Sequence, residues 1–213
     1  MHGVVPVSYF LRHMKDSKLT LMHHGLGPKG ARALALSLTS NTSIVKLNLS
    51  DNWLNGDGAA AIADTLKENG YISGNRVGVK GAKALSAMLR ENTTLISLDL
   101  SGNELSDHAA RDLADALLTN NKMEFLNLSH NMLGEPSGEV LGAAVAENVG
   151  LKELNLSWNC FRGQGAVAVA KGLGVRAVSF RIFCLARIQT LVADGMVCSV
   201  IWNPLLVTLI FML

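Results

Sequence analysis

The chain has 213 residues, of which 49% are apolar, 17% charged and 5% aromatic, with a formal net charge of +2. Leucine supplies 34 positions and asparagine 16, which excludes a disordered chain, since that would be rich in charge and poor in leucine. Eleven aromatics are too few for a base-stacking platform and the small charge gives no general pull toward phosphates, so nucleic acid is not an expected partner.

Residues 1–16 read as a flanking segment. Their apolar run, residues 3–11, is short, is broken by Pro6 and precedes no small-residue cleavage site, so it does not read as a secretory signal. Cys160, Cys184 and Cys198 are too few and too scattered for a disulfide framework or a four-cysteine zinc site. Both observations predict a thiol-reduced, cytoplasmic chain.

From residue 17 to residue 174 one pattern recurs. Leu47-Asn48-Leu49-Ser50-Asp51-Asn52, Leu98-Asp99-Leu100-Ser101-Gly102-Asn103, Leu126-Asn127-Leu128-Ser129-His130-Asn131 and Leu154-Asn155-Leu156-Ser157-Trp158-Asn159 share the form LxLSxN. Asn75, Asn103, Asn131 and Asn159 lie 28 residues apart, and 28 before Asn52 stands His24, preceded by Leu19-Thr20-Leu21. That makes about six units. In each LxL both leucines point to one face of a short strand and the residue between them to the other. The asparagine follows where the chain must turn, and its amide can bond backbone groups left unpaired there; Asn52, Asn75, Asn103, Asn131 and Asn159 are therefore expected to be structural turn residues. The rest of each unit reads as helix: Ile62 and Leu66, Leu85 and Leu89, and Leu113 and Leu117 are each four apart. Asp57 and Asp107 are expected N-caps, and Pro136 an opening residue. Asn69, Asn92, Asn120 and Asn148 each fall 17 residues after a turn asparagine, at the expected helix end. A lone unit cannot bury its apolar face, so the units stack, with parallel strands inside and helices outside.

This LxxLxLxxN core with a full helix resembles the leucine-rich repeat in its ribonuclease-inhibitor subtype. Units 44–71, 95–122, 123–150 and 151–174 match well, and 17–43 and 72–94 in part. The run Val5-Pro6-Val7-Ser8-Tyr9-Phe10-Leu11-Arg12, followed by His23-His24-Gly25-Leu26-Gly27-Pro28, is similar to the leucine-rich repeat-containing protein 74 family. The resemblance implies an α/β solenoid, a horseshoe with its strands on the concave face, and no well-defined biochemical activity. Two departures stand out. Asn52 to Asn75 is only 23 residues, which predicts a shortened third unit with Gly70 and Ile72 in the two leucine columns. The helix is expected still to end at Asn69, so the missing stretch lies between Asn69 and Asn75; the third strand should therefore be weak, or the preceding helix should lose its last turn. After residue 174 the pattern fails, although Ile182 and Cys184 keep the leucine columns, because Arg187 replaces the asparagine. A deletion plus an unrelated tail predicts a truncated variant of a longer repeat protein.

The expected partner-binding residues are those beside the leucines: Lys46, Asn48, Ser50 and Asp51; Ser97, Asp99 and Ser101; Phe125, Asn127, Ser129 and His130; Glu153, Asn155, Ser157 and Trp158. Phe125 and Trp158 are the informative members, being aromatic among small polar residues. Trp53, Glu104, Met132 and Cys160 follow the turn asparagines and read as packing or rim residues. His23 and His24 are neighbours on a strand, point to opposite faces and make no metal pair; His24 suits a side-chain hydrogen bond in the asparagine column. The Asn-x-Ser/Thr triplets at Asn41, Asn48, Asn92, Asn127 and Asn155 arise mostly from the repeat. No phosphate loop, nucleophile elbow or metalloprotease helix is present. The expected function is a non-enzymatic scaffold without cofactor or metal, binding an unidentified protein through the concave face. Alternatives are a regulator of a small GTPase and a membrane-anchored form.

The membrane alternative rests on residues 175–213. Residues 195–213 carry no charge and approach the length of a span, but Asn203-Pro204 interrupts them. A disordered or collapsed apolar tail is the favoured reading, with an anchor or a cover for the open end as the others.

Overall fold

The computed structural model describes the backbone of residues 5–174, 181–183, 197–201 and 208–212, and side chains over 8–173. Helix α1 (Val5–His13) precedes an alternation of strand and helix: β1 (Lys18–Thr20), α2 (Gly27–Thr39), β2 (Lys46–Asn48), α3 (Asn55–Ala63), β3 (Asn69–Tyr71), α4 (Gly78–Glu91), β4 (Ser97–Asp99), α5 (Asp107–Thr119), β5 (Phe125–Asn127), α6 (Glu135–Glu147), β6 (Glu153–Asn155) and α7 (Gly163–Gly174). Strand β7 (Arg181–Phe183) follows, then β8 (Val197–Ile201) and β9 (Thr208–Met212). Strands β1 to β7 form one open parallel sheet in chain order, so the fold is an α/β solenoid with strands on its concave side and helices on its convex side.

The leucine register sets this order. Leu47, Gly70, Leu98, Leu126, Leu154 and Ile182 stand side by side across the sheet. Their described leucines, the second column of Leu49, Ile72, Leu100, Leu128 and Leu156, and a third of Leu54, Val77, Leu105, Leu133 and Phe161 are all buried. Helices close over them through Ile62, Leu85, Leu113 and Leu141, with Ala59, Ala82 and Ala110 letting backbone approach backbone. Phe10 of α1 joins the same core and closes its first end.

The third unit departs from the count. Asn69 does not end a helix; it opens β3 and pairs with Lys46 and Ser97. Helix α3 has nine residues against fourteen in α4, so the missing five residues come out of the helix. Asp64 then takes the post-helical place that Asn92 holds one unit on. Lys67 falls in the column that Ile44, Leu95, Met123 and Leu151 fill with apolar side chains, and its ammonium turns away to the carbonyl of Asn41. Leu66, the next residue back, fills the core instead. A Cβ on Gly70 would come within 3.1 Å of the Leu66 methyls and 3.2 Å of Leu98.

The expected caps also differ. Helix α3 opens at Asn55, placing Asp57 inside its first turn, where the carboxylate meets Lys80 at 2.5 Å and Arg32 at 3.5 Å across three successive helices. These cations lower its pKa, the Lys80 hydrogen bond most. Asp107 begins α5 without capping it. Its Oδ1 instead accepts from the N–H groups of Gly134, at 2.8 Å, and Ser137, at 3.2 Å, and from the Ser137 hydroxyl. It thus caps α6, one unit away. Pro136 stands in the first turn of α6 as expected.

In the tail, β8 and β9 pair antiparallel, Val197 with Met212 through Ile201 with Thr208. Cys184, Arg187, Asn203 and Pro204 lie outside the described residues. Among the described residues no helix is long and apolar enough to cross a membrane.

Candidate interaction surface

The turn asparagines are used up by the backbone. Asn103 Nδ2 donates to the carbonyl of Ile72 at 2.8 Å and of Ser101 at 3.2 Å, while its Oδ1 accepts from Asn75 N–H at 2.8 Å. Asn131 then accepts from Asn103 N–H at 2.9 Å, and Asn75 from Asn52 N–H at 2.9 Å. Asn159 accepts from Leu133 N–H at 3.1 Å. Each amide therefore ties its own turn to the unit before it, and these buried groups find partners as burial demands. At the head of the column His24 Nδ1 bonds the carbonyl of Met22 at 2.7 Å. A second ladder runs along the other edge of the sheet: Asn120 Nδ2 donates to Leu89 O and Asn92 O, and Asn148 Nδ2 to Leu117 O and Asn120 O.

Of the predicted partner-binding residues, Ser50, Ser129 and Ser157 are buried and Ser101 half-buried in the turn; the others separate into two sets. Lys46, Asn48, Ser97, Asp99, Phe125, Asn127, Glu153 and Asn155 lie on the strands, in two columns across the sheet. Lys46 and Phe125 are exposed; the others are half-buried. Asn48, Asp99, Asn127 and Asn155 each accept from the N–H two residues on, at 2.9 to 3.0 Å, so their side-chain oxygens close the turn into Ser50, Ser101, Ser129 and Ser157. Sequence reasoning missed four members of these columns: Lys18 and Thr20 on β1, and Asn69 and Tyr71 on β3. The leucine register of the shortened unit could have found the last two.

The second set is Asp51, His130 and Trp158, which leave the strands and occupy the turn residue before each asparagine. Their φ angles are 56°, 54° and 56°, and His23 (58°), Gly74 (66°) and Gly102 (64°) complete that left-handed column. The residue after the asparagine is also left-handed at Gly25, Trp53, Arg76 and Glu104. These side chains form a rim beyond the strand ends. Trp53 is 67% exposed, Met132 52% and Trp158 48%. His130 and Trp158 stack with ring centres 5.3 Å apart and planes 10° apart. Arg76 lies 5.7 Å over Trp53 and 3.7 Å from Glu104; His23 is 3.6 Å from Asp51. Among the described residues no three histidines, cysteines, aspartates or glutamates gather as a metal site would need.

Residues 40–63, 91–114 and 148–170 match the Leucine Rich repeat family model. The chain carries leucine-rich repeats. A human relative, leucine-rich repeat-containing protein 74B, is 62% identical over 40 residues, which are 19% of this chain and 10% of that protein. The mouse protein of the same name is 58% identical over 43 residues, 20% and 11% of the two chains. The leucine-rich-repeat chain thus matches only about a tenth of the length of these relatives. Among solved structures, the C-terminal domain of tropomodulin from Caenorhabditis elegans shares the fold at a TM-score of 0.51 with 13% identity, over 80% of this chain and 93% of that one. A structure of leiomodin-1 actin-binding site 2 aligns at 0.49 with 16% identity, over 78% and 88%.

Proposed function

We propose that this leucine-rich-repeat chain is a cytoplasmic, non-enzymatic interaction module that holds a protein partner against its concave sheet face. Leucine-rich repeats generally mediate protein–protein interaction. The observation that carries the reading is Phe125, 39% exposed on β5 amid small polar side chains. An aromatic ring with that much of its surface in water on this face suits a binding hot spot. On adjacent strands Lys18 and Lys46 stand exposed, with no ion-pair partner among the described residues. Lys46 and Phe125, with Asn48, Ser97, Asp99, Asn127, Glu153 and Asn155 between and beyond them, form the contact face. The exposed, unpaired Cys160 suits a reducing compartment.

The test is quantitative proximity labelling in cells with the full chain and with Phe125→Ala plus Lys46→Glu. Loss of a hot-spot contact costs about 2 kcal/mol, some thirtyfold in affinity, so the partners labelled by the native chain should drop out while its melting temperature holds. An unchanged set of labelled proteins rejects the concave face as the site.

A further inference from the structure

The two columns of side chains on the sheet face are engaged differently. Between the leucines, Asn48, Asp99, Asn127 and Asn155 each commit a side-chain oxygen to the turn that follows. Before the first leucine, Lys18, Lys46, Asn69, Ser97 and Phe125 make no side-chain hydrogen bond or ion pair among the described residues. Tyr71 joins them from the shortened unit. It stands where its neighbours Asn48 and Asp99 carry an amide and a carboxylate, and its hydroxyl has no hydrogen-bond partner among the described residues.

The charge on this face is uneven. Lys18 and Lys46 are exposed and stand side by side on paired strands. Like charges so placed on one face repel, and no acidic residue on β1, β2 or β3 offsets them. Farther along, Asp99 turns its carboxylate to the N–H and hydroxyl of Ser101, at 2.9 and 2.7 Å, and Glu153 on β6 stands opposite Arg181 on β7. The unbalanced charge therefore lies over β1 and β2, with the exposed ring of Phe125 three strands beyond Lys46.

We infer, on the footing that the sheet face is the partner site, that the partner presents an extended segment crossing the strands, with an acidic side chain over Lys18 and Lys46 and an apolar one over Phe125. Lys46 and Phe125 share one column, three strand spacings or about 14 Å apart at ~4.8 Å each. An extended chain rises about 3.4 Å per residue and returns to one face at every second residue, so the acidic and apolar side chains stand about four positions apart in the segment. Asn69, Tyr71 and Ser97, lying between, offer donors and acceptors to its backbone groups. Two lysines at one end of the face do not suit a phosphate backbone, which draws on a run of cations; a protein carboxylate is the complement they fit.

The experiment selects random peptides displayed on phage against the full chain. The best peptide is then titrated by fluorescence anisotropy into the native chain, into Phe125→Ala and into Lys18→Glu/Lys46→Glu. The selected peptides should carry Asp or Glu about four residues from a large apolar residue, and each variant should bind about tenfold or more weakly than the native chain. Changing the peptide's acidic residue to lysine should abolish binding to the native chain and restore it to the lysine-reversed variant. That variant keeps two like charges side by side, so its melting temperature should match the native one; a lowered value would show that the lysines serve the fold, and would overturn the inference. Peptides weakened by Phe125→Ala but not by the reversed lysines would overturn the acidic segment and leave the sheet face standing as the partner site. Peptides indifferent to both changes would overturn the segment and the sheet face together.

Discussion

At the scale of single residues, Asp107 shows how one carboxylate serves two units. It is half-buried, and the desolvation this brings raises its pKa, but hydrogen bonds from Ser137 and from the Gly134 and Ser137 N–H groups outweigh it and hold the carboxyl below its usual range. A pKa lowered on folding contributes stability above the unfolded value, about 3.9, and that contribution is lost as pH falls through the folded value. Removing the cap in Asp107→Ala should cost about 1–2 kcal/mol at pH 7. Urea unfolding of both proteins should show this gap narrowing as the pH falls below about 4, because the native chain loses what the variant never had. A gap that stays constant with pH would mean that the charge contributes nothing. No local pattern reveals this cap: Asp107 stands at the start of a helix and looks like its N-cap, whereas the N–H groups that donate to its carboxylate lie 27 and 30 residues on.

At the scale of elements, the shortened unit separates what periodicity can show from what it cannot. Leucine and asparagine columns are legible because they repeat at fixed spacing, and they place Gly70 and Ile72 correctly. Asn69 was misplaced because counting 17 residues from Asn52 assumes a constant helix length, whereas α3 gave up five residues and moved Asn69 into β3. Likewise Asp51, His130 and Trp158 read as strand residues because strands of three residues end sooner than the LxLSxN motif does. The same repair makes Gly70 the right residue. Restoring the column with Gly70→Leu should destabilise by about 1–3 kcal/mol, because Leu66 already fills the space and a larger side chain overpacks it. Chemical denaturation measures this; a gain in stability would show that Leu66 can move aside.

At the scale of the whole molecule, each unit touches only its neighbours, so stability is handed along the stack and its ends decide how it frays. Helix α1 covers the first end through Phe10, which is buried against the core. Phe10→Ala should cost about 3 kcal/mol. Hydrogen exchange should lose protection first in β1 and α2, with β5 and α6 unaffected. Uniform loss along the chain would show instead that the stack unfolds as one block. The asparagine ladders have a further consequence for the molecule. One amide per unit supplies the side-chain hydrogen bonds of the turn, so the residues on either side of it need not supply them. The same turn is accordingly closed with glycine in some units and with histidine, aspartate or tryptophan in others. Variation at these two places leaves the asparagine ladder beneath them as it stands.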